Sequence, residues 1–390
     1  MLTRRNMIRG SGLALGTGAI LASGLPLGLS GAWAQDPAMT PRGGGAPVRL
    51  HYNENAAGCS PKVIEAMRDA MDESNLYPVK REEAYTNAVA SYHSIAEGNV
   101  IRGNGSSEIL LVTLLAAHQN AEWSKLTVFA PSMSFEVIAD LCQKWKIPYV
   151  RTPMAKDLRV DLDALRSAAE AQAAHGPVMV YLTSPNNPTG DLIHSKSIGD
   201  WVKSAHENIL FLIDEAYIDF VTDPTHKSAI DLVKAGYENL VVARTFSKVY
   251  GLAGVRVGYG IAATKIAESM NAAMIAGSNV NVLGLAAGVA ALEDRDFYKA
   301  SLASNRIARK MATDVLDDLG LDYIPGEANF IFHQIGRPHS EYQPRMLEHG
   351  FKVGRLMGGL QNWNRLSIGL PNEMERFADT LRLFRNNGWV

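Results

Sequence analysis

Asn239-Leu240-Val241-Val242-Ala243-Arg244-Thr245-Phe246-Ser247-Lys248, continuing through Tyr250-Gly251-Leu252-Ala253-Gly254 to Val255-Arg256-Val257-Gly258, is the stretch that decides the fold. An apolar strand runs into a polar turn carrying Thr245, Ser247 and Lys248, and eight positions after the lysine Arg256 opens a second strand-like run. This places one amine and one guanidinium at the rim of a buried sheet. A partly desolvated lysine keeps a free amine lone pair and can condense with a carbonyl group. An arginine beside it can hold a phosphate through its planar fork. Most lysines that follow strands are merely solvated, so the pair gains meaning from what other segments bring to it.

Working outward, apolar runs at 126–130, Val178–Thr183, 209–213 and 240–243 alternate with helical patterns at about 135–145 and 195–207. Short apolar strands separated by helices argue an α/β fold with a mostly parallel sheet covered on both faces. Ligands of such sheets sit outside the carboxyl ends of the strands. There the chain carries Ser184-Pro185-Asn186-Asn187-Pro188-Thr189-Gly190, then Asp214-Glu215-Ala216-Tyr217, then Thr245-Phe246-Ser247-Lys248. An amide, a carboxylate, a phenol and a lysine are thereby expected in one crevice. Upstream, Ile101-Arg102-Gly103-Asn104-Gly105-Ser106-Ser107-Glu108 precedes an apolar run at 109–117. A glycine turn feeding a helix leaves backbone N–H groups free for an anion, although a plain helix cap is the commoner use.

The flanks complete the outline. Ser60-Pro61 followed by Val63, Ile64, Ala66, Met67 and Ala70 reads as a capped amphipathic helix, and Tyr77, before Pro78, is extended and projects away from its own domain. After Asn281 one long helical region, about 283–316, leads to strands at 329–333, 351–353 and 365–368 in a smaller α+β domain. The expected divisions are 48–75 joining the small domain, 76–283 as the large domain and 284–390 as connecting helix and small domain. The 38 basic and 40 acidic side chains give no charge excess to attract nucleic acid, and two cysteines, Cys59 and Cys142, indicate neither a disulfide framework nor a metal site. At the front, Thr3-Arg4-Arg5 precedes a weakly apolar segment at 10–29 and Ala32-Trp33-Ala34. This reads as a twin-arginine signal over residues 1–34, cleaved after Ala34, delivering the protein to the periplasm through the twin-arginine export machinery. Six glycines and prolines between Gly12 and Gly28 make a poor spanning helix there. Residues 35–47 read as a Pro/Gly-rich linker.

Together, Asn53-Glu54-Asn55, Tyr77-Pro78, Gly103 to Glu108, Ser184 to Gly190, Asp214 to Tyr217, Thr245 to Lys248, Arg256, Asn279-Val280-Asn281, Ala328-Asn329-Phe330 and Arg365-Leu366-Ser367-Ile368-Gly369 resemble, in unbroken order, the fold-type I pyridoxal phosphate aminotransferases and their histidinol-phosphate aminotransferase branch. The resemblance implies a seven-stranded sheet with one antiparallel strand, pyridoxal 5'-phosphate as cofactor, an amino acid or amine and a 2-oxo acid as substrates, 2-oxoglutarate among them, and a homodimer with shared sites. It implies that Lys248 carries the cofactor and moves the substrate proton, that Asp214 faces the ring nitrogen, and that Asn187 and Tyr217 face the phenolic oxygen. The phosphate falls to Ser106, Ser107, Thr245, Ser247 and Arg256, with Tyr77 from a second subunit. Substrate falls to Asn329, Arg355 and Arg365. For the ring stacked on the cofactor, direct count gives Met133 and a two-residue shift gives Phe135, which gains about 0.5–1.5 kcal/mol from stacking. The Asn187-Pro188 bond is expected to be cis. A pyridoxal phosphate decarboxylase or racemase of the same fold is the alternative enzyme, and a cofactor-binding regulator would need a DNA-binding module that the sequence does not display.

Overall fold

The computed structural model describes residues 45–120, 125–274 and 280–390. The signal at 1–34, most of the linker, and Asn279 lie outside them. The strands are β1 (Val48–Leu50), β2 (Val100–Gly103), β3 (Thr127–Pro131), β4 (Tyr149–Thr152), β5 (Val178–Thr183), β6 (Ile209–Asp214), β7 (Leu240–Thr245), β8 (Gly258–Ala262), β9 (Phe330–Gln334), β10 (Phe351–Val353) and β11 (Trp363–Ser367). Seven of them form one sheet in the order β2-β8-β7-β6-β5-β3-β4. Only β8 runs against its neighbours β2 and β7, and the other pairings in this sheet are parallel. This is the mostly parallel α/β sheet that the sequence pattern implied, with the seven strands and one antiparallel strand that the resemblance implied.

The central strands read VMVYLT, ILFLID and LVVART because both of their faces are covered. Successive side chains point to opposite faces, so Val180, Phe211 and Val242 join one core while Met179, Leu212 and Val241 join another. The first core is closed by Tyr85, Trp201 and Leu285 from three helices, the second by Ile109, Leu110, Ile138 and Met270 from three more. A third core lies under the two small sheets, where β1 pairs with β10 and β9 with β11, and contains Val315, Leu316, Phe377 and Leu381 of the helices Arg295–Asp318 and Pro371–Asn386. Among the described residues no helix is long and apolar enough to cross a membrane.

One expectation needs correction. The helical region after Asn281 is two helices, Val282–Glu293 and Arg295–Asp318, because Asp294 leaves helical geometry (φ −83, ψ 74). Its carboxylate takes the Phe297 N–H as a cap and also the Ser60 hydroxyl, so an acidic residue placed mid-pattern acts as a start signal.

Residues 48–60 tie the two parts together. β1 pairs with β10, Asn53 N–H donates to Ser367 Oγ at 2.8 Å, and Asn55 Nδ2 donates to Val249 O and Ser301 Oγ, both at 2.7 Å. The strap crosses the Lys248 turn at Gly251, where φ is +72 and an added Cβ would lie 1.8 Å from Gly58 O. Gly251→Ala therefore forces strap and turn apart, and urea unfolding is expected to show a loss on the order of 3 kcal/mol or more. Gly58→Ala, also at positive φ but facing open space, is expected to lose only about 1–2 kcal/mol.

Candidate active site

The carboxyl ends of β2, β5, β6 and β7 open into a cavity of about 520 Å³ whose opposite wall comes from the strap and the small sheets. At one end the helix Ser106–Asn120 begins directly after Gly105, which has φ +75. A Cβ on Gly105 would lie 2.7 Å from Arg256 Nη2, and one on Gly258 would lie 2.7 Å from Ser106 N. Both glycines are required by close approach: the guanidinium lies across the turn, and β8 starts against the helix N-terminus. Arg256 is held there by Ala253 O (3.0 Å) and Asn104 O (3.3 Å). Thr245 Oγ1 bonds to Ser247 Oγ at 2.9 Å, and both hydroxyls line the same end with Ser106 and Ser107. Free helix N–H groups, hydroxyls and a guanidinium converging on one point form an anion cup.

At the middle of the floor stands Asp214, buried, accepting the Ala216 N–H at 3.0 Å. Burial raises its pKa to about 6, against the opposing effects of the Ala216 N–H, Lys248 and Tyr181, while Glu215 adds to the rise. Lys248 is half-buried, with Nζ 3.4 Å from Tyr52 O and 5.4 Å from the centre of the Tyr217 ring. The Tyr217 hydroxyl receives Asn53 Nδ2 at 3.0 Å and Asn187 Nδ2 at 3.4 Å. The Asn187-Pro188 bond is cis, as expected, and so is Ser184-Pro185.

Side chains alternate at the strand ends, so Asp214 and Thr245 face the cavity while their neighbours Glu215 and Arg244 face away from it. Beneath the floor Arg244 Nη1 lies 3.0 Å from Glu215 Oε2 and Nη2 lies 3.5 Å from Asp219 Oδ1, all three side chains being under a tenth exposed. Glu215 also takes the Ser228 hydroxyl and the Ala229 N–H, each at 2.6 Å.

On the opposite wall Arg365, 7% exposed, donates to Asn187 Oδ1 (2.7 Å) and His51 O (2.8 Å), while its Nε has no partner. Burial lowers its pKa, Tyr217 offsets part of that, and Arg355 adds to it. Arg355 and Phe135 line the mouth, as does Met133. Two predicted residues are elsewhere. Asn329 stands behind the wall, its Nδ2 holding Asn53 O at 3.0 Å, so it orients the strap instead of lining the cavity. Tyr77 is 88% exposed on the outer surface of this chain. The wall also contains His51, Tyr52, Asn53, Gln343 and Lys352, which were not singled out as site residues. The Asn53-Glu54-Asn55 motif was the available signal for the first three.

The donor set fits pyridoxal phosphate. Lys248, Arg256, Lys352, Arg355 and Arg365 face two carboxylates, Asp214 and Glu136, and Glu136 is already paired with Arg151 at 2.5 Å. Ser134 Oγ and Arg365 Nε are buried on the wall without partners. A strongly cationic cavity with idle donors and one buried carboxylate suits a ligand with a dianionic phosphate and a basic ring nitrogen.

The family described as Aminotransferase class I and II matches residues 47–381. The chain belongs to that family. It is similar to the histidinol-phosphate aminotransferase of Akkermansia muciniphila, 34% identical over 337 residues that cover 86% of this chain and 89% of the relative. The Moorella thermoacetica histidinol-phosphate aminotransferase is 33% identical over 340 residues, covering 86% and 84%. Among solved structures, the Sinorhizobium meliloti histidinol-phosphate aminotransferase in complex with pyridoxal-5'-phosphate matches with a TM-score of 0.77 and 25% identity, covering 86% of this chain and 90% of that one. This aminotransferase therefore uses pyridoxal phosphate.

The raised pKa of Asp214 gives a test on the cofactor-free protein. A carboxyl group whose folded pKa lies above its unfolded value favours folding below the unfolded value and loses that contribution as pH rises through about 6. Asp214→Asn removes the penalty. The cofactor-free variant is expected to be more stable than the cofactor-free parent at pH 8, by at most about 3 kcal/mol, with the gain fading as pH falls toward 4. Urea midpoints across that range check it, and the same variant is expected to lose turnover.

Proposed function

We propose that this aminotransferase moves an amino group between an amino acid or amine and 2-oxoglutarate, in a site built like that of the histidinol-phosphate enzymes. The supporting observation is Arg365, a buried guanidinium with no carboxylate partner among the described residues and with Nε unpaired. Such a cation is costly to bury and is relieved by an incoming anion. A substrate α-carboxylate supplies it. Arg355 and Lys352 at the same wall suit the second carboxylate of 2-oxoglutarate.

When bound, pyridoxal phosphate supplies the electron sink that stabilises negative charge at the substrate α-carbon. Lys248 would hold the cofactor and, once displaced by the incoming amine, would move the proton between the substrate α-carbon and the cofactor's C4′ carbon as general acid/base. Asp214 keeps the ring nitrogen protonated, since a buried carboxylate ionises readily only beside a cation. Tyr217 and Asn187, supported by Asn53, bond to the phenolic oxygen. Ser106, Ser107, Thr245, Ser247 and Arg256 would hold the phosphate, and Phe135 would supply the ring that packs on the cofactor. In the homodimer we propose, Tyr77 enters the neighbouring subunit's phosphate cup, which accounts for its exposure in a single chain.

Borohydride reduction followed by peptide mapping is expected to fix the cofactor on Lys248, and Lys248→Ala to fold, retain cofactor non-covalently and show no turnover. An adduct on any other lysine sinks the assignment. A donor panel read by cofactor absorbance is expected to show 2-oxoglutarate restoring the starting spectrum. Release of carbon dioxide without consumption of a 2-oxo acid marks a decarboxylase instead.

We further propose that residues 1–34 direct the folded, cofactor-loaded dimer through the twin-arginine machinery to the periplasm. Replacing Arg4 and Arg5 by Lys is expected to leave active enzyme in the cytoplasm with residues 1–34 uncleaved. Continued export of that variant, or an exported parent that lacks cofactor, contradicts the proposal.

A further inference from the structure

Met133 and Phe135 both line the cavity, but their surroundings differ. Phe135 is 38% exposed at the mouth, whereas Met133 is 7% exposed in a small apolar cluster with Ile324 and Phe332, against which Met357, Leu360 and Trp363 pack. This cluster bridges the cavity mouth. Met133 follows β3 of the large sheet, Met154 and Leu158 after β4 pack on the cluster from the same side, and the other partners come from the small-sheet side.

Two of those partners sit on the loop that follows β10 and carries Arg355. The loop's near end is rigid: a Cβ on Gly354 would lie 2.4 Å from Arg365 O, and Gly354 O bonds to His339 Nε2 (2.9 Å), Asn364 Nδ2 (3.0 Å) and Gln343 Nε2 (3.2 Å). Its far end turns at Gly358-Gly359, with φ +56 and +70, closed by the Leu360 N–H on Met357 O at 3.0 Å. Successive positive φ values make this a turn for glycines. The tip rests on Met133, because a Cβ on Gly358 would lie 3.0 Å from Met133 Cε and 3.1 Å from Sδ. Met133 is fixed from behind, its carbonyl accepting Asn186 Nδ2 at 2.9 Å. The adjacent Asn187 holds Arg365. One turn therefore seats Arg365 directly and the support of the Arg355 loop indirectly. Arg355 itself makes no ion pair among the described residues and is exposed at the mouth.

We propose that Met133 is a specificity-determining residue: its thioether is the pillar that sets how far the Arg355 loop reaches over the cavity, so that Arg355 meets the distal anionic group of a substrate whose α-carboxylate is held by Arg365. The proposal rests on the transamination reading and names its substrate class, amino and 2-oxo acids with a second anionic group. A methionine suits the task because it is unbranched and fills irregular space, and truncation to alanine leaves the tip unsupported.

Met133→Ala is expected to raise KM for 2-oxoglutarate about tenfold with kcat within about twofold, while pyruvate, which lacks the second carboxylate, changes less than about twofold. Met133→Leu, of similar volume, is expected to restore the parent values. Gly358→Ala acts in the same direction by pushing the tip off the thioether, and the double variant Met133→Ala, Gly358→Ala is expected to be milder than the sum because the smaller side chain leaves room for the Cβ. A second readout needs no turnover. Trypsin is expected to cut cofactor-free Met133→Ala after Arg355 faster than the parent, and protection of that bond by 2-oxoglutarate is expected to need about tenfold more ligand. Equal KM changes for both acceptors, a fall in kcat alone, or unaltered cleavage and protection at Arg355 overturns the proposal. If no acceptor turns over in the parent, transamination is wrong, and the cleavage and protection data decide the pillar on their own.

Discussion

Under the floor of the cavity Arg244 bridges Glu215 and Asp219, and the site's spacing depends on that contact. Glu215 follows Asp214, the last residue of β6, and Arg244 precedes Thr245 on β7, so the ion pair clamps two strand ends whose other faces carry the buried Asp214 carboxylate and a hydroxyl of the anion cup. Severing a buried pair leaves an uncompensated charge and costs about 3–5 kcal/mol. Here it also matters electrically. The Glu215 charge raises the pKa of its neighbour Asp214, and Arg244 balances that charge from 3.0 Å away. The clamp therefore fixes the spacing of the strand ends from the far side of the sheet, while burial remains the main cause of the raised Asp214 pKa and the Glu215 charge adds to it.

The wall facing the floor is organised by hydrogen bonds to backbone and amide oxygens. Arg365 is held by the Asn187 side chain and the His51 carbonyl, acceptors that orient a guanidinium without neutralising it. A carboxylate in either place would satisfy the cation internally and leave nothing for a substrate anion. The strap residues serve the same end: Asn53 bonds to Ser367 next to Arg365's strand neighbours and to Tyr217 across the cavity, linking the small sheets to the floor. Asn329, by holding Asn53 O, acts through the strap.

The central strands and the floor were legible in the sequence because both are local. Val178–Thr183, Ile209–Asp214 and Leu240–Thr245 are continuous apolar runs, and the chemistry follows each within a few residues. The strands outside the centre were harder. Tyr149–Thr152 is short and partly exposed, and Gly258–Ala262 carries two glycines whose absent side chains make room for Ser106 and Ile109, a reason visible only in three dimensions. The strap was legible as a motif but not as a wall, since His51, Tyr52 and Asn53 reach the cavity only through pairing of Val48–Leu50 with Phe351–Val353, some 300 positions later. The break at Asp294 failed for the same cause: its hydroxyl partner, Ser60, lies 234 residues away.

The two shifted groups at the site oppose each other. Burial pushes Asp214 toward its neutral acid and makes the Arg365 guanidinium harder to keep charged, so each strains against the form that the chemistry uses. They do not neutralise each other, because the intervening positions are taken by Asn187 and Tyr217. In the function proposed, a basic ring nitrogen would relieve the first and a substrate carboxylate the second. Ligands that bind the folded form alone stabilise it by mass action, so loading the floor and then the wall tightens a protein whose empty cavity carries an unfavourable charge on each side. The same strain that weakens the empty fold is what suits the cavity, in the function proposed, to a cationic ring below and an anion above.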